Sequence, residues 1–124
     1  MSERLSFKEM CAKFDVTPRT LRYYEYIELL SPDKEGRARF YNAREMARMK
    51  LILRGRRFGF SLEEIRQWLQ VYGRKGERQQ MQQWLTLADR QLLELERQRA
   101  ELDVTIADLK ALRATAAEEM DRLG

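Results

Sequence analysis

Apolar and polar positions at the start of the chain alternate in blocks that predict two helices. Ser6 and Glu9 have the spacing of a helix-capping box, and apolar residues then recur at helical intervals. A second helix is expected after Thr17, because threonine accepts a hydrogen bond at an N-cap and Pro18 suits the first helical position. A tight turn at residues 15–17 would join the two. The apolar stripe of the first helix, spaced i, i+3, i+4 and i+7, consists of Phe7, Met10, Cys11 and Phe14.

The second helix has two faces of different chemistry. Leu21, Tyr24 and Ile27 lie on one side and are expected to anchor the helix in a core. The stretch 29–32 is expected to end it, because proline disfavours helix in the preceding residue. Two helices with an exposed basic face on the second predict a helix-turn-helix, although a surface helix with solvated arginines is the alternative. The cationic and aromatic face, again spaced i, i+3, i+4 and i+7, holds Arg19, Arg22, Tyr23 and Tyr26.

A short β-hairpin is predicted next. After a turn expected at residues 33–36, basic and apolar residues alternate, which is strand periodicity with a basic face opposite an apolar one. A basic hairpin directly after a helix-turn-helix is a wing. A wing contacts the DNA backbone or minor groove, and these contacts position the protein on DNA more than they read the base sequence. An ordinary surface hairpin is the alternative. The alternating residues are Arg37, Ala38, Arg39, Phe40 and Tyr41.

Two further helices follow, each opened by the same cap spacing. Asn42 and Glu45 open a third helix that extends to about residue 58, and Ser61 and Glu64 open a fourth. Basic residues gather at the end of the third helix, where cations complement the helix dipole, and this explanation competes with phosphate binding. These basic residues are Arg54, Arg56 and Arg57.

The last third of the chain predicts one long helix. Residues 73–76 are expected to break the chain, and from Glu77 neither proline nor glycine occurs before Gly124. Steps of four and three residues from Met81 reach thirteen positions, eleven of them apolar, and this repeat of 3.5 residues predicts a coiled coil. The simplest partner for this seam is a second copy of the chain. The residues expected at the dimer contact are Leu85, Leu92, Leu95, Leu102, Ile106, Leu109 and Met120.

Charge is distributed unevenly along the 124 residues. Residues 1–60 carry a net charge of +6, and residues 61–124 carry −2. A basic first half favours a polyanionic partner, and nucleic acid is the commonest of these. The mixture of a basic head and an apolar seam leaves two classes of protein open: a regulator that binds duplex DNA, or a coiled-coil adaptor whose head binds RNA or an acidic protein.

Several kinds of chemistry are excluded by composition. Histidine is absent and Cys11 is the only cysteine, so the sequence offers no disulfide framework and no cluster for zinc or an iron–sulfur centre. General bases and nucleophiles are scarce, so we expect no enzyme and no cofactor. The N-terminus has no apolar targeting segment, and no apolar run approaches the length of a membrane span. We expect a cytoplasmic protein.

Three motifs in order give the chain a family resemblance. Residues 17–25, 36–41 and 58–65 resemble the MerR family of bacterial transcription regulators. The resemblance implies a mainly all-α fold: a winged helix-turn-helix head at 1–73 and a long helix at 77–123 that forms an antiparallel coiled-coil dimer. It also implies a pseudo-palindromic operator, promoter bending and untwisting, and RNA polymerase as a partner on double-stranded DNA.

The resemblance also assigns roles to single residues. Many members have Ile-Gly where this chain has Ile27 and Glu28, and metal and redox sensors of the family carry cysteine ligands near the end of the long helix, which this chain lacks. We expect a short form without a C-terminal effector domain, and residues 50–60 are most similar to a subgroup that controls branched-chain amino-acid and fatty-acid catabolism. The predicted DNA-binding residues are Thr17, Arg19, Arg22, Tyr23, Tyr24, Arg37, Arg39, Tyr41 and Arg56.

Overall fold

The computed structural model describes residues 3–72 and 78–124, and for residues 71 and 72 it describes the backbone alone. The predicted break at 73–76 lies outside the described residues. Two compact units are present, Met1–Trp84 and Leu85–Gly124.

The described residues form five helices and three short strands, and the predicted class, mainly helical with a small β wing, is confirmed. The sheet is antiparallel in the order β1-β3-β2. In chain order the elements are β1 (Leu5–Ser6), α1 (Phe7–Phe14), α2 (Pro18–Tyr26), β2 (Asp33–Glu35), β3 (Ala38–Tyr41), α3 (Ala43–Phe58), α4 (Leu62–Tyr72) and α5 (Arg78–Leu123).

The predicted helix caps are confirmed. At the start of α1 the Ser6 hydroxyl accepts a hydrogen bond from the Glu9 amide (3.2 Å), and the Glu9 carboxylate accepts one from the Ser6 amide (2.9 Å). Thr17 caps α2 by accepting the Thr20 amide at 3.1 Å. Because each cap satisfies amides that have no partner inside the helix, it fixes where the helix begins. The caps of α3 and α4 follow the same pattern, at Asn42–Glu45 and Ser61–Glu64.

The strands of the wing differ from the prediction in two respects. Residues 33–35, expected in a turn, form strand β2, and Lys34 pairs with Arg39 on β3. The turn is therefore shorter than expected and passes through Gly36, whose φ of 62° favours glycine. The two-residue strand β1, which was not predicted, pairs Leu5 with Tyr41 on the other side of β3.

The core of the first unit is built from all four of its packed helices and from β3. Leu21 of α2 is fully buried, which confirms its predicted anchoring role. Cys11 on α1 is only half-buried, and this burial raises the pKa of its thiol. The largest fully buried side chains are Tyr41, Met10, Leu21, Leu29, Met49, Ile52 and Ile65.

Helix α2 ends earlier than the sequence suggested. The last helical residue is Tyr26, three residues before the expected end at 29–32. Glu28 adopts a left-handed conformation with φ of 63°, which no α-helix can continue. The Leu29 amide turns back and donates to the Tyr24 carbonyl at 2.9 Å, which closes the helix end. Both Leu29 and Leu30 are then buried in the core.

Helix α5 is one continuous helix of 46 residues. In a single chain, its large apolar residues on the predicted seam between Leu85 and Leu123 are 36–81% exposed. Surface ion pairs join Arg97 to Glu94 and to Glu101. Among the described helices, none is long and apolar enough to cross a membrane.

Candidate nucleic-acid interface

The outward face of α2 is basic and aromatic, as predicted. Arg19 and Arg22 are exposed, and the rings of Tyr23 and Tyr26 are 50% and 83% exposed. Tyr24 is 7% exposed, so its ring serves as an anchor and only its edge can contribute to the outer surface. Four long donor-bearing side chains therefore line one accessible helix face, which suits the major groove of DNA.

This face borders a groove of about 610 Å³. The groove brings Arg56 of α3 beside α2, although the two lie far apart in sequence, and the Arg56 guanidinium also donates to the Phe60 carbonyl at 3.2 Å. Thr20 and Leu62 line the groove too, and neither was predicted in an interface. The complete lining is Arg19, Thr20, Arg22, Tyr23, Tyr24, Tyr26, Arg56 and Leu62.

The segment after α2 is held by polar side chains from α3 and α4. Three side chains, those of Glu45, Arg48 and Arg66, each bind a backbone group of this segment. Together they fix where α2 ends relative to the rest of the head. These long-range bonds leave no periodic signal in the sequence, and sequence analysis missed them. They run from Arg66 to the Ile27 carbonyl, from Arg48 to the Leu29 carbonyl (3.0 Å), and from the Ser31 amide to the Glu45 carboxylate (2.9 Å).

Tyr41 requires a correction. It was predicted to contact DNA from the wing, but its side chain is fully buried. Its hydroxyl donates a 2.6 Å hydrogen bond to the Glu25 carboxylate, which also lies 3.5 Å from the Arg39 guanidinium. Burial, together with the neighbouring Glu25, raises the pKa of Tyr41 far above its usual range. Tyr41 therefore supports Arg39 through Glu25, and its side chain is not part of the accessible surface of the wing.

The remaining predicted wing residues lie on accessible positions. Arg37 is exposed in the turn itself, and Arg39 is half-buried. The guanidinium of Arg4 lies 4.0 Å from the centroid of the Phe40 ring and donates to Glu35 at 2.7 Å. This hydrogen bond lowers the pKa of Glu35. Arg4 thus adds a positive group to the wing that the sequence did not identify.

Arg22 and Arg39 both lie near one aromatic ring of α1. The guanidinium of Arg22 lies 5.5 Å from the ring centroid of Phe7, and that of Arg39 lies 5.7 Å from the same centroid. Both distances are within the range of cation–π attraction. Phe7, expected on the inward stripe of α1, is in fact partly exposed, and its ring lies near arginines of both the outward face of α2 and the wing.

Thr17 has a structural task in the free chain. Besides capping α2, its hydroxyl donates to the Thr20 hydroxyl at 2.9 Å.

In the described ranges, no group of three histidine, cysteine, aspartate or glutamate residues is placed to hold a metal ion. The arrangement as a whole is a surface of arginines and tyrosines with the chemistry of a polyanion-binding site.

Two family models match the chain, and together they cover most of it. The model described as "MerR HTH family regulatory protein" matches residues 5–71, which include the caps, α2 and the wing. The model described as "MerR, DNA binding" matches residues 46–112.

Individual relatives agree with these matches. The chain is 38% identical over 65 residues to the HTH-type transcriptional regulator ZntR of Escherichia coli, covering 51% of this chain and 46% of that protein. It is 33% identical over 105 residues to the regulator HmrR of Rhizobium leguminosarum bv. viciae, covering 80% and 81%. The chain thus spans less than half of ZntR but most of HmrR.

A solved structure shares the fold. The crystal structure of HiNmlR, a regulator lacking the sensor domain and bound to promoter DNA, superimposes with a TM-score of 0.66 at 20% identity. The superposition covers 84% of this chain and 79% of that one.

Proposed function

Since the chain belongs to the MerR family, whose helix-turn-helix model covers residues 5–71, we propose that it is a homodimeric transcription regulator that binds double-stranded DNA. One observation carries the proposal: Arg19, Arg22, Tyr23 and Arg56 line one groove on the outer face of α2. Arginine pairs with guanine edges and with phosphates, and tyrosine hydroxyls bind phosphates. Such a protein acts where the chromosome lies, which is the cytoplasm of a bacterium.

Arg19 is the residue that we expect to read sequence. It stands in the first turn of α2, one residue after Pro18, where a side chain reaches base edges when the helix enters the major groove. A bidentate arginine–guanine contact contributes about 1–3 kcal/mol of discrimination. Arg39 and Arg37 of the wing are expected to contact phosphates, which carry little sequence information.

Selection of duplexes from a random library with the wild-type chain tests the proposal. Arg19→Ala should weaken binding to the selected duplex and reduce the ratio of specific to non-specific affinity. Arg39→Ala should weaken both kinds of binding and lower the salt dependence by about one counterion for each arginine–phosphate interaction that is removed. Arg122→Ala, an exposed arginine on α5, is the matched control and should leave binding unchanged.

Two outcomes would contradict this assignment. If Arg39→Ala erased specificity while Arg19→Ala preserved it, the roles of helix and wing would be reversed. If the chain selected no duplex but bound RNA or an acidic protein through the same arginines, the proposal would be wrong and the adaptor function would replace it.

The dimer is the second part of the proposal, and it rests on α5. Large apolar side chains that recur every 3.5 residues and stay exposed in one chain favour a partner helix. A second copy, packed antiparallel, supplies the same seam. The side chains proposed at this contact are Leu85, Leu92, Leu95, Leu102, Ile106, Leu109 and Met120.

Two neighbouring residues of α5 allow a matched test of the dimer. Leu102 lies on the seam and Val104 lies off it, and both are largely exposed in the single chain. Leu102→Lys should convert the dimer to monomers in analytical ultracentrifugation, whereas Val104→Lys should not. Equal effects of the two substitutions, or a wild-type monomer at micromolar concentration, would refute the seam.

A dimer with two basic heads fits an operator with two related half-sites. We propose that binding bends and untwists the promoter and so changes its use by RNA polymerase. Circularly permuted fragments that carry the selected sequence measure the bend by gel mobility. Mobility that does not depend on the position of the site would contradict bending while leaving DNA binding intact.

A further inference from the structure

We propose that Phe7 is a positioning residue, whose ring aligns an arginine of the recognition helix and an arginine of the wing for simultaneous contact with DNA. The two are Arg22 on α2 and Arg39 on β3. This inference rests on the proposed DNA-binding function and adds a residue that makes no DNA contact of its own.

The geometry shows one ring serving two cations. The guanidinium carbons of Arg22 and Arg39 lie 5.5 Å and 5.7 Å from the Phe7 ring centroid. A guanidinium within about 6 Å of an aromatic centroid is attracted by the negative face of the ring. The three residues belong to three different elements, so the ring at the start of α1 contacts both the outward face of α2 and the wing.

The ring itself is held in a defined place. Phe7 is the first residue of α1 and directly follows Ser6, whose reciprocal hydrogen bonds with Glu9 fix the start of the helix. The ring is half-buried and therefore keeps one part in contact with the protein and another part open to the arginines. A side chain anchored in this way can order a longer, more flexible partner.

Two guanidinium groups near one ring repel each other, and the structure contains a counter-charge. The Glu25 carboxylate lies 3.5 Å from the Arg39 guanidinium, and the buried hydroxyl of Tyr41 holds it there. Arg39 is therefore held both by Glu25 and by the Phe7 ring. For Arg22, the contact that the structure shows among these groups is the one with the Phe7 ring. Loss of the ring should release Arg22 more than Arg39.

The functional consequence is a smaller ordering penalty on binding. A free arginine loses much rotamer freedom when it docks on DNA, and a side chain that is already ordered loses less. Because both arginines depend on one ring, their contributions to DNA affinity should be coupled: removal of one should change the effect of removing the other.

The test compares substitutions that keep or remove the aromatic ring. Phe7→Leu keeps an apolar side chain without a π face, and Phe7→Tyr keeps the ring. Phe14→Leu, at the other end of α1 and also half-buried, is the matched control, because among the described residues no guanidinium lies over the Phe14 ring.

The first measurement needs no DNA. Arginine Nε–H NMR signals of the free protein report the ring current of Phe7 at Arg22 and Arg39. Phe7→Leu should move both signals, and Phe7→Tyr and Phe14→Leu should leave them in place. Signals that do not respond to Phe7→Leu would overturn the alignment of the arginines, whatever the protein binds.

The second measurement is affinity for a duplex that the wild-type chain selects. Phe7→Leu should weaken binding by about 5–30-fold, the amount expected for two cation–π contacts at exposed sites. Phe7→Tyr should bind within about twofold of wild type, since a tyrosine ring is also a cation–π partner. A reduction in Phe14→Leu as large as that in Phe7→Leu would assign the effect to general destabilisation and overturn the proposal.

A mutant cycle completes the design. The combined effect of Arg22→Ala and Arg39→Ala should be non-additive with Phe7 present and additive in Phe7→Leu. Additivity in both backgrounds would overturn the coupling. If the wild-type chain selected no duplex, the proposed function would fail and the DNA role of Phe7 with it, while the NMR result would still decide the alignment.

Discussion

Removal of one buried hydroxyl, in Tyr41→Phe, should destabilise the head. The hydroxyl donates to Glu25 at 2.6 Å, and the ring is fully buried. A hydrogen bond to a charged acceptor contributes about 1.5–3 kcal/mol, so we expect the free energy of unfolding at neutral pH to fall by that amount. Tyr23→Phe removes a hydroxyl from an exposed ring and should change the free energy of unfolding by less than about 0.5 kcal/mol.

The same hydroxyl predicts a specific dependence on pH. An unfolded tyrosine ionises with a pKa of about 10, whereas burial and Glu25 keep Tyr41 protonated to higher pH in the folded chain. Above pH 10 the unfolded state therefore holds fewer protons, and the stabilisation present below that pH is lost as pH rises. The decrease is about 1.4 kcal/mol per pH unit for one group.

Urea unfolding followed by far-UV circular dichroism measures this effect. The difference in unfolding free energy between wild type and Tyr41→Phe should shrink by about 1.4 kcal/mol from about pH 9 to about pH 11. Cys11, whose thiol pKa burial also raises, contributes to both proteins and cancels in the difference. Protein concentration must be constant, because association changes apparent stability. A difference that stays the same over this interval would refute the buried Tyr41–Glu25 contact.

Three further substitutions test other parts of the head. Glu28→Gly should raise the unfolding free energy in urea by about 0.5–1 kcal/mol. Glycine adopts the left-handed conformation without strain, but it loses more backbone entropy on folding than glutamate does. Tyr26→Ala should leave that free energy within about 0.5 kcal/mol but weaken binding to the selected duplex in fluorescence anisotropy; unchanged affinity would place the ring outside the interface. Arg66→Met should lower stability by about 1–2 kcal/mol and speed amide hydrogen exchange at residues 27–31.

Helix starts could be predicted because their cause is local. A cap needs one side-chain oxygen and an amide three residues later, and both are visible in the sequence. Ser6, Thr17, Asn42 and Ser61 all make the expected bond. The exposed basic face of α2 was predictable for the same reason, since helical spacing alone decides which side chains share a face.

The wing could not be predicted to the same level. Alternation correctly placed Arg39 and Tyr41 on one face, but the sequence suggested that this face was the solvent side. Strand β1 has only two residues, too few for a periodic signal, and its pairing places Tyr41 opposite Leu5 and into the core. Phe40, on the face expected to be apolar, is only half-buried and lies under Arg4 instead. Burial in a narrow sheet depends on what packs against it, which alternation does not encode.

The end of α2 shows why a tertiary structure was needed to define the interface. No residue between Tyr26 and Ser31 breaks a helix by its own chemistry, and Glu28 takes a left-handed conformation that glutamate disfavours. Contacts from α3 and α4 hold this segment in place, and the burial of Leu29 and Leu30 compensates for the strain. The length of α2 is therefore decided by residues that come later in the chain. Changes at Arg48 or Arg66 should alter how α2 is presented to DNA, even though neither was predicted as a DNA-binding residue.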